Sequence, residues 1–352
     1  MKCIVHIGTE KTGTTTIQSF LHLNRKRLRD EQGVAYLGKP KVRNHHHLAQ
    51  MCREDGVITR EMGYADVSEV VAKRESMAAA MKREVDELPA HVHTVILSSE
   101  YFQSRLSRRE NVQNLQEILA PIFEDIQILC YLRRQDEVAV SRYSTKLRAG
   151  FANPDILTLG AQRAFYNYLS LVKRWARVFG WDAFECAVFD RSSLYQGDLL
   201  QDFGRRVGIT HDSKSLVIPE LMNESLSGAG QNFYCHANRF LMGSDGKRDN
   251  YPRLRISVKR FVNRYYSGKS RLPSRTEAAD FYDEFREDNC RIAQRMLGRE
   301  QLFEENFDNY PAQPESEGSY GQLLVSTVYF FAFSVWELLF GKHRKKDIKV
   351  AK

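Results

Sequence analysis

Up to residue 208 the chain switches between short unbroken apolar runs and longer stretches with helical spacing. Residues 2–7 (KCIVHI) are a run of the first kind and predict a buried strand. Residues 8–13 then break into a glycine-punctuated loop. From Thr14 to Arg29, the apolar positions Ile17, Phe20, Leu21 and Leu28 recur with helical spacing, and Gly33 supplies a stop. Arg25, Lys26, Arg27 and Arg29 fall in the last turns, where cations favour the helix dipole. Residues 66–87 predict a second amphipathic helix, 93–99 (HTVILSS) a strand running into a polar end, and 111–119 a helix. IQILCYL at 126–132 reads as another buried strand that ends at Arg133-Arg134, with a helix over 136–147. A strand at 184–189 precedes a helix over 199–207 that closes at Gly208. Apolar strands alternating with helices predict an α/β fold, a central parallel sheet flanked by helices on both faces. Ligands of such sheets bind at the carboxyl ends of the strands. Three polar clusters fall there: residues 8–15, 98–101 and 133–141.

At 352 residues the chain has room for two domains, or one large α/β domain with insertions, at about 150 residues per domain. Apolar residues make up 42% and charged residues 27%, which excludes disorder as the main state, a fibrous protein and a multi-span membrane protein. The formal net charge of +8 favours an anionic partner: a phosphorylated cofactor, an acidic glycan, a membrane surface or nucleic acid. It does not choose among them, and solubility alone accounts for it as well. The six cysteines are scattered with no C-x-x-C pair, which argues against a zinc site and against a disulfide framework. Cys3, Cys130 and Cys186 lie in apolar runs and read as buried small hydrophobes, and a reducing, cytoplasmic setting is expected. Ile4-Val5 is followed at once by polar residues, whereas a secretory segment needs roughly 7–15 apolar ones. The amino end is therefore expected to belong to the fold.

The strongest chemical signal is His6-Ile7-Gly8-Thr9-Glu10-Lys11-Thr12-Gly13-Thr14-Thr15-Thr16. A strand enters a loop with glycines at both ends, and the loop opens a helix. Backbone N–H groups at a helix start lack intrahelical partners and sit at the positive end of the dipole, so they form an anion site. Gly8 and Gly13 have the spacing of the ATPase loop G-x-x-x-x-G-K-[ST]. The residues after Gly13 are Thr14-Thr15, however, and the lysine sits earlier, at Lys11. The loop suits phosphate but lacks the usual lysine for the β- and γ-phosphates of a nucleoside triphosphate.

Glu10-Lys11-Thr12-Gly13-Thr14-Thr15 resembles the 5′-phosphosulfate loop of the sulfotransferases that use 3′-phosphoadenosine 5′-phosphosulfate (PAPS). The common form there is P-K-[ST]-G-T-[ST]; Glu10 stands in place of the proline. A second element agrees. The family binds the donor's 3′-phosphate with an arginine just after a strand and a serine eight residues on, and Arg133 and Ser141 have that spacing, within Val138-Ala139-Val140-Ser141. A planar guanidinium and a hydroxyl can grip one phosphate from two sides. The resemblance covers residues 2–29 and 93–145, and more weakly 184–208.

The resemblance implies a three-layer P-loop-like fold with a helical C-terminal extension, PAPS as donor and adenosine 3′,5′-bisphosphate as product, with no metal. It assigns Lys11, Thr12, Gly13, Thr14, Thr15 and Thr16 to the 5′-phosphosulfate, and Arg133 and Ser141 to the 3′-phosphate. Lys11 is the candidate to stabilise the leaving group. Glu100, in Ser98-Ser99-Glu100-Tyr101 after the strand 93–99, is the candidate base, with Glu10 as runner-up and Ser99 as a cap for the following turn. Consecutive histidines converge poorly on one ion, so His45-His46-His47 reads as surface, core or acceptor-side rather than metal-binding.

The expected blocks are a PAPS-binding core at 1–210, an acceptor-side or cofactor-closing helical region at 211–317, and an apolar helix with a basic tail at 318–352. Residues 251–275 carry eight basic and no acidic residues, interleaved with Tyr251, Phe261, Tyr265 and Tyr266. That composition suits an acidic glycan or nucleic acid, as well as a plain solvated helix face. With the sulfotransferase motifs present, the expected acceptor is a glycan or glycolipid, and nucleic acid is not expected. Gly246-Lys247-Arg248 could close over the 3′-phosphate, and Asn223-Glu224-Ser225-Leu226-Ser227 could face the cofactor. Residues 322–340 are the most apolar stretch, with Glu337 its single charge, followed by a basic run from Lys342 to Lys352. Three readings stand: a helix lying on the inner face of a membrane, a spanning helix, or a helix docked on the core or on a second subunit. Two other functional classes also stand: a nucleotide kinase or NTPase, and a non-catalytic module for acidic polymers.

Overall fold

A computed structural model describes residues 1–38, 42–210, 216–220, 225–241, 251–315 and 320–340. In chain order the elements begin β1 (Lys2–Ile7), α1 (Thr14–Gln32), β2 (Val34–Tyr36), α2 (His46–Met51), α3 (Asp55–Met62), α4 (Val67–Asp86) and β3 (Thr94–Ser99). They continue α5 (Tyr101–Ser104), α6 (Arg109–Leu119), β4 (Asp125–Leu132), α7 (Gln135–Arg148), α8 (Arg163–Tyr166), α9 (Tyr168–Phe179) and β5 (Phe184–Val188). The last are α10 (Leu199–Val207), α11 (Gly228–Leu241), α12 (Pro252–Tyr265), α13 (Arg275–Leu297) and α14 (Tyr320–Phe340). The chain forms two compact units. The first holds Met1–Arg134, Gly160–Leu221 and Glu284–Glu304, and the second Gln135–Leu159, Met222–Asp283 and Glu305–Lys352. The units interleave along the chain, unlike the consecutive blocks 1–210, 211–317 and 318–352 expected above.

The first unit is built on a five-stranded sheet of order β2-β3-β1-β4-β5 in which every pairing is parallel. This is the α/β architecture that the apolar runs predict. β1 is central and fully paired, so its residues Cys3 to Ile7 are buried on both faces. On one face Ile4, Ile96, Leu129, Tyr131 and Ala187 pack against Ile17, Phe20 and Leu21 of α1 and Leu200, Phe203 and Val207 of α10. The chain leaves β1 toward β2 and β3 on one side, and β4 leads to β5 on the other. The order therefore reverses beside β1, and the carboxyl ends of β1 and β4 flank a topological switch point.

In the second unit α7, α11, α12 and α14 share a core of Tyr143, Leu147, Phe233, Phe261, Phe330 and Phe333. Ser227 N–H donates to Tyr266 O at 2.7 Å and Gly268 N–H to Ser225 O at 2.8 Å, which ties the entry of α11 to the exit of α12. Asn223-Glu224, Gly246-Lys247-Arg248 and the basic run Lys342–Lys352 lie outside the described residues. Among the described residues, no helix is long and apolar enough to cross a membrane.

Candidate functional site

The loop between β1 and α1 is fastened to both neighbouring strand ends. Toward β3, Gly8 N–H donates to Ser99 O at 3.2 Å, and Glu10 N–H donates to Gln103 Oε1 of α5 at 2.9 Å. Toward β4, the Thr9 hydroxyl donates to Tyr131 O, and Arg133 Nη1 donates to Lys11 O at 3.2 Å. The guanidinium of Arg133 also lies over the Phe189 ring, 5.5 Å from its centroid, and Tyr168 OH donates to Arg133 O at 2.8 Å. The two motifs singled out from the sequence, 122 positions apart, thus share one loop edge. The adjacent Arg134 turns elsewhere: it is buried and donates to Glu304 O at 2.9 Å.

The loop carries an unusual backbone. Lys11 has φ +69° and Gly13 has φ +71°, both left-handed. A lysine there costs roughly 1–2 kcal/mol that a glycine would not. Gly13 is also the N-cap of α1 and, among the described residues, no side chain caps this helix start. The left-handed φ favours glycine at position 13, and a Cβ there would also stand 2.2 Å from Leu199 Cδ2, so that side chain would have to move. An uncapped helix start, with the positive end of the helix dipole, is a favourable place for an anion.

The threonines divide into two roles. Thr12 and Thr14 are buried, and their hydroxyls donate to Thr9 O at 2.8 and 3.3 Å, so their protons hold the loop together. What these two residues offer an anion is backbone N–H. Thr15 is exposed and Thr16 half-buried. Ser141, half-buried, lies in the middle of α7 and belongs to the second unit, whereas the other named residues belong to the first.

Glu100 follows β3 directly and is partly buried. Gln18, buried on α1, donates from Nε2 to Glu100 Oε2 and to Ser98 Oγ, both at 3.2 Å. Gln18 is the residue that motif reasoning missed. The signal available was its place one helical turn beyond Thr14, on the same face as the loop's anchors. Ser99 Oγ accepts from Tyr101 N–H at 3.1 Å, the capping role expected of it.

Behind Glu100 the three histidines separate. His45 is buried and serves the backbone: Ser98 N–H donates to its Nδ1 at 3.0 Å, and its Nε2 reaches Leu37 O at 3.1 Å. Burial brings its pKa down to about 4, with hydrogen bonds to the Ser98 and Leu37 carbonyls pulling the other way and the charges of Arg25 and His46 pushing it further down. His46 Nδ1–H donates to Asn44 Oδ1 at 2.7 Å, and its ring meets Tyr101 edge on at 6.0 Å and His47 at 3.9 Å. Partial burial and the neighbouring His47 lower its pKa, while the charge of Glu100 acts in the opposite sense. His6 in β1 is wholly buried, 2.8 Å from Ser98 Oγ, and burial takes it down to about 3. Among the described residues, no group of three or more His, Cys, Asp or Glu side chains is placed to hold a metal ion.

Five of the six cysteines are buried and none is in a disulfide; burial raises the thiols of Cys52 and Cys186 to about 12, and pushes those of Cys3 and Cys130 well above the usual value. Those four buried thiols are poor nucleophiles.

No known family profile matches the chain, and no curated protein matches it. Among solved structures, the crystal structure of a sulfotransferase from Alicyclobacillus acidocaldarius superposes with a TM-score of 0.39 at 17% identity, covering 70% of this chain and 98% of that one.

Proposed function

We propose that the protein is a sulfotransferase that moves a sulfuryl group from PAPS to a hydroxyl of a glycan or glycolipid. One observation supports this reading: the Arg133 guanidinium donates to the carbonyl of Lys11, which brings the arginine of the second motif to the loop of the first. The uncapped start of α1 has the chemistry of a phosphate cradle. The resemblance supplies the remaining assignments. Lys11, Thr12, Gly13, Thr14, Thr15 and Thr16 hold the 5′-phosphosulfate, and Arg133 and Ser141 hold the 3′-phosphate.

PAPS, when bound, supplies an activated sulfuryl group. Glu100, oriented by Gln18, takes the proton of the acceptor hydroxyl as the oxygen–sulfur bond forms. The bond from sulfur to the 5′-phosphate oxygen breaks, and the Lys11 ammonium and the helix-start amides meet the charge left on that oxygen. The products are a sulfate ester and adenosine 3′,5′-bisphosphate. Positioning and electrostatics do the work, as in phosphoryl transfer.

Calorimetry with adenosine 3′,5′-bisphosphate tests the site, on the wild type and on Arg133→Ala. Binding by the wild type and a loss of about 10-fold or more in the variant are expected. No binding by the wild type refutes the nucleotide assignment, and equal binding by both refutes the site map. Transfer of radiolabelled sulfate from PAPS to a panel of glycans and glycolipids then tests the reaction.

A further inference from the structure

α14 presents two apolar faces where a docked helix needs one. Ser326, Phe330 and Phe333 are buried in the core of the second unit, at helical spacing. The Tyr266 hydroxyl and Ser326 Oγ lie 2.6 Å apart, and the Phe330 and Phe333 rings meet Phe261 edge to face or tilted at 5.5 Å. The opposite face carries Leu324, Val325, Val328, Tyr329 and Phe331, each between 53% and 66% exposed. A helix apolar on both faces has a second apolar neighbour.

The charge around this face indicates what that neighbour is. α12, which packs against α14, carries five basic and no acidic residues over Pro252–Tyr265, and Lys259, Arg260 and Arg264 are exposed. Arg264 stands over the Tyr265 ring at 5.5 Å, and that ring meets Phe333 of α14 edge on at 5.9 Å, so a cation lies beside the apolar helix. In sequence, α14 runs straight into residues 341–352, with six Lys or Arg and a single Asp. A second copy seated on the same face by a two-fold axis would set these like charges against each other. An anionic lipid surface instead offers acyl chains to the apolar face and phosphates to the cations.

We propose that the outer face of α14 lies in the surface of an anionic bilayer, with the exposed cations of α12 engaging the headgroups. The helix lies along the interface and does not cross it. This inference is independent of the sulfotransferase reading and involves no nucleotide.

Flotation with vesicles of phosphatidylcholine alone, and of phosphatidylcholine mixed with phosphatidylglycerol, tests it on the full chain. The wild type is expected to float with the mixed vesicles and to detach as salt is raised. Val328→Glu with Phe331→Glu should stay in the dense fraction with both vesicles, at an unchanged melting midpoint. Lys259→Gln, Arg260→Gln and Arg264→Gln together should keep residual binding but lose about 10²-fold of the preference for the mixed vesicles, at roughly five-fold per cation. A wild type that stays dense with mixed vesicles overturns the proposal, as does a Val328→Glu, Phe331→Glu protein that floats equally well. A wild-type dimer that does not float, and that this double substitution turns into a monomer in light scattering, overturns it in favour of a contact between copies.

Discussion

Acidification attacks the site from beneath through two histidines. His6 and His45 are buried neutral against Ser98, the residue two places before Glu100. For His45 the geometry defines the tautomer: Nδ1 accepts the Ser98 N–H and Nε2–H donates to Leu37 O. A proton on Nδ1 would break the bond from Ser98 N–H and have only the longer contact to Ser98 O, at 3.3 Å, in exchange. Below about pH 6.5 the unfolded chain protonates both rings, while the folded chain resists down to about 4 for His45 and about 3 for His6. The unfolded state then binds more protons, so stability is complete above 6.5 and is lost as pH falls through that window. Near pH 5 each ring costs about 2 kcal/mol, at about 1.4 kcal/mol per pH unit, or about 4 kcal/mol for the pair. That is a large share of the roughly 5–15 kcal/mol that holds a folded domain together. Urea denaturation near pH 7.5 and near pH 5 measures it, on the wild type and on His45→Gln. The variant loses hydrogen bonds and starts lower, but its decline on acidification should be smaller than that of the wild type by about 2 kcal/mol. Parallel declines would refute the reasoning. So would an NMR titration of His45 with a midpoint at its ordinary value.

Gly13→Ala faces both a left-handed backbone and the Leu199 side chain, and should cost about 1–3 kcal/mol with loss of adenosine 3′,5′-bisphosphate binding; thermal melts and calorimetry check it. Lys11→Gly relieves the strained backbone, so the melting midpoint should hold or rise by a few degrees while sulfuryl transfer falls by about 10²-fold or more. Glu100→Gln and Gln18→Leu should both leave nucleotide affinity intact, with turnover falling about 10²-fold or more in the first and about 10-fold in the second; unchanged turnover in Glu100→Gln moves the base elsewhere. Asp202→Ala removes the carboxylate that receives the Tyr131 hydroxyl at 2.7 Å and Arg206 Nε at 2.6 Å, and should cost about 3–5 kcal/mol in denaturation.

The parallel sheet was legible because its central strands are buried on both faces and must therefore be unbroken apolar runs, as in IVHI and ILCYL. β2 was not, because Val34–Tyr36 is too short to show any rhythm. The loop between β1 and α1 was legible from Gly8 and Gly13, positions where a Cβ would crowd Thr14 and Leu199. Which of the two arginines after β4 faces that loop followed only from the spacing to Ser141, and the burial of Arg134 against Glu304 O shows how different neighbours can be. The division of labour among the threonines was beyond reach: Thr12, Thr14 and Thr15 are chemically alike, and only the position of Thr9 O separates the hydroxyls that fasten the loop from the one that faces outward. Gln18 and the histidines under Glu100 escaped for the same reason, their partners lying 80 and 53 positions away on another element.

The left-handed backbone at Lys11 also sets a direction for evolutionary drift. At that φ, glycine or asparagine would be the relaxed choice, so a lineage freed from the need for an ammonium group at this spot would slide toward one of them and gain robustness as it did so. The letter at position 11 therefore works as a gauge. On the proposed reading, a descendant that keeps lysine still needs its ammonium, and one with glycine or asparagine there has kept the loop without it.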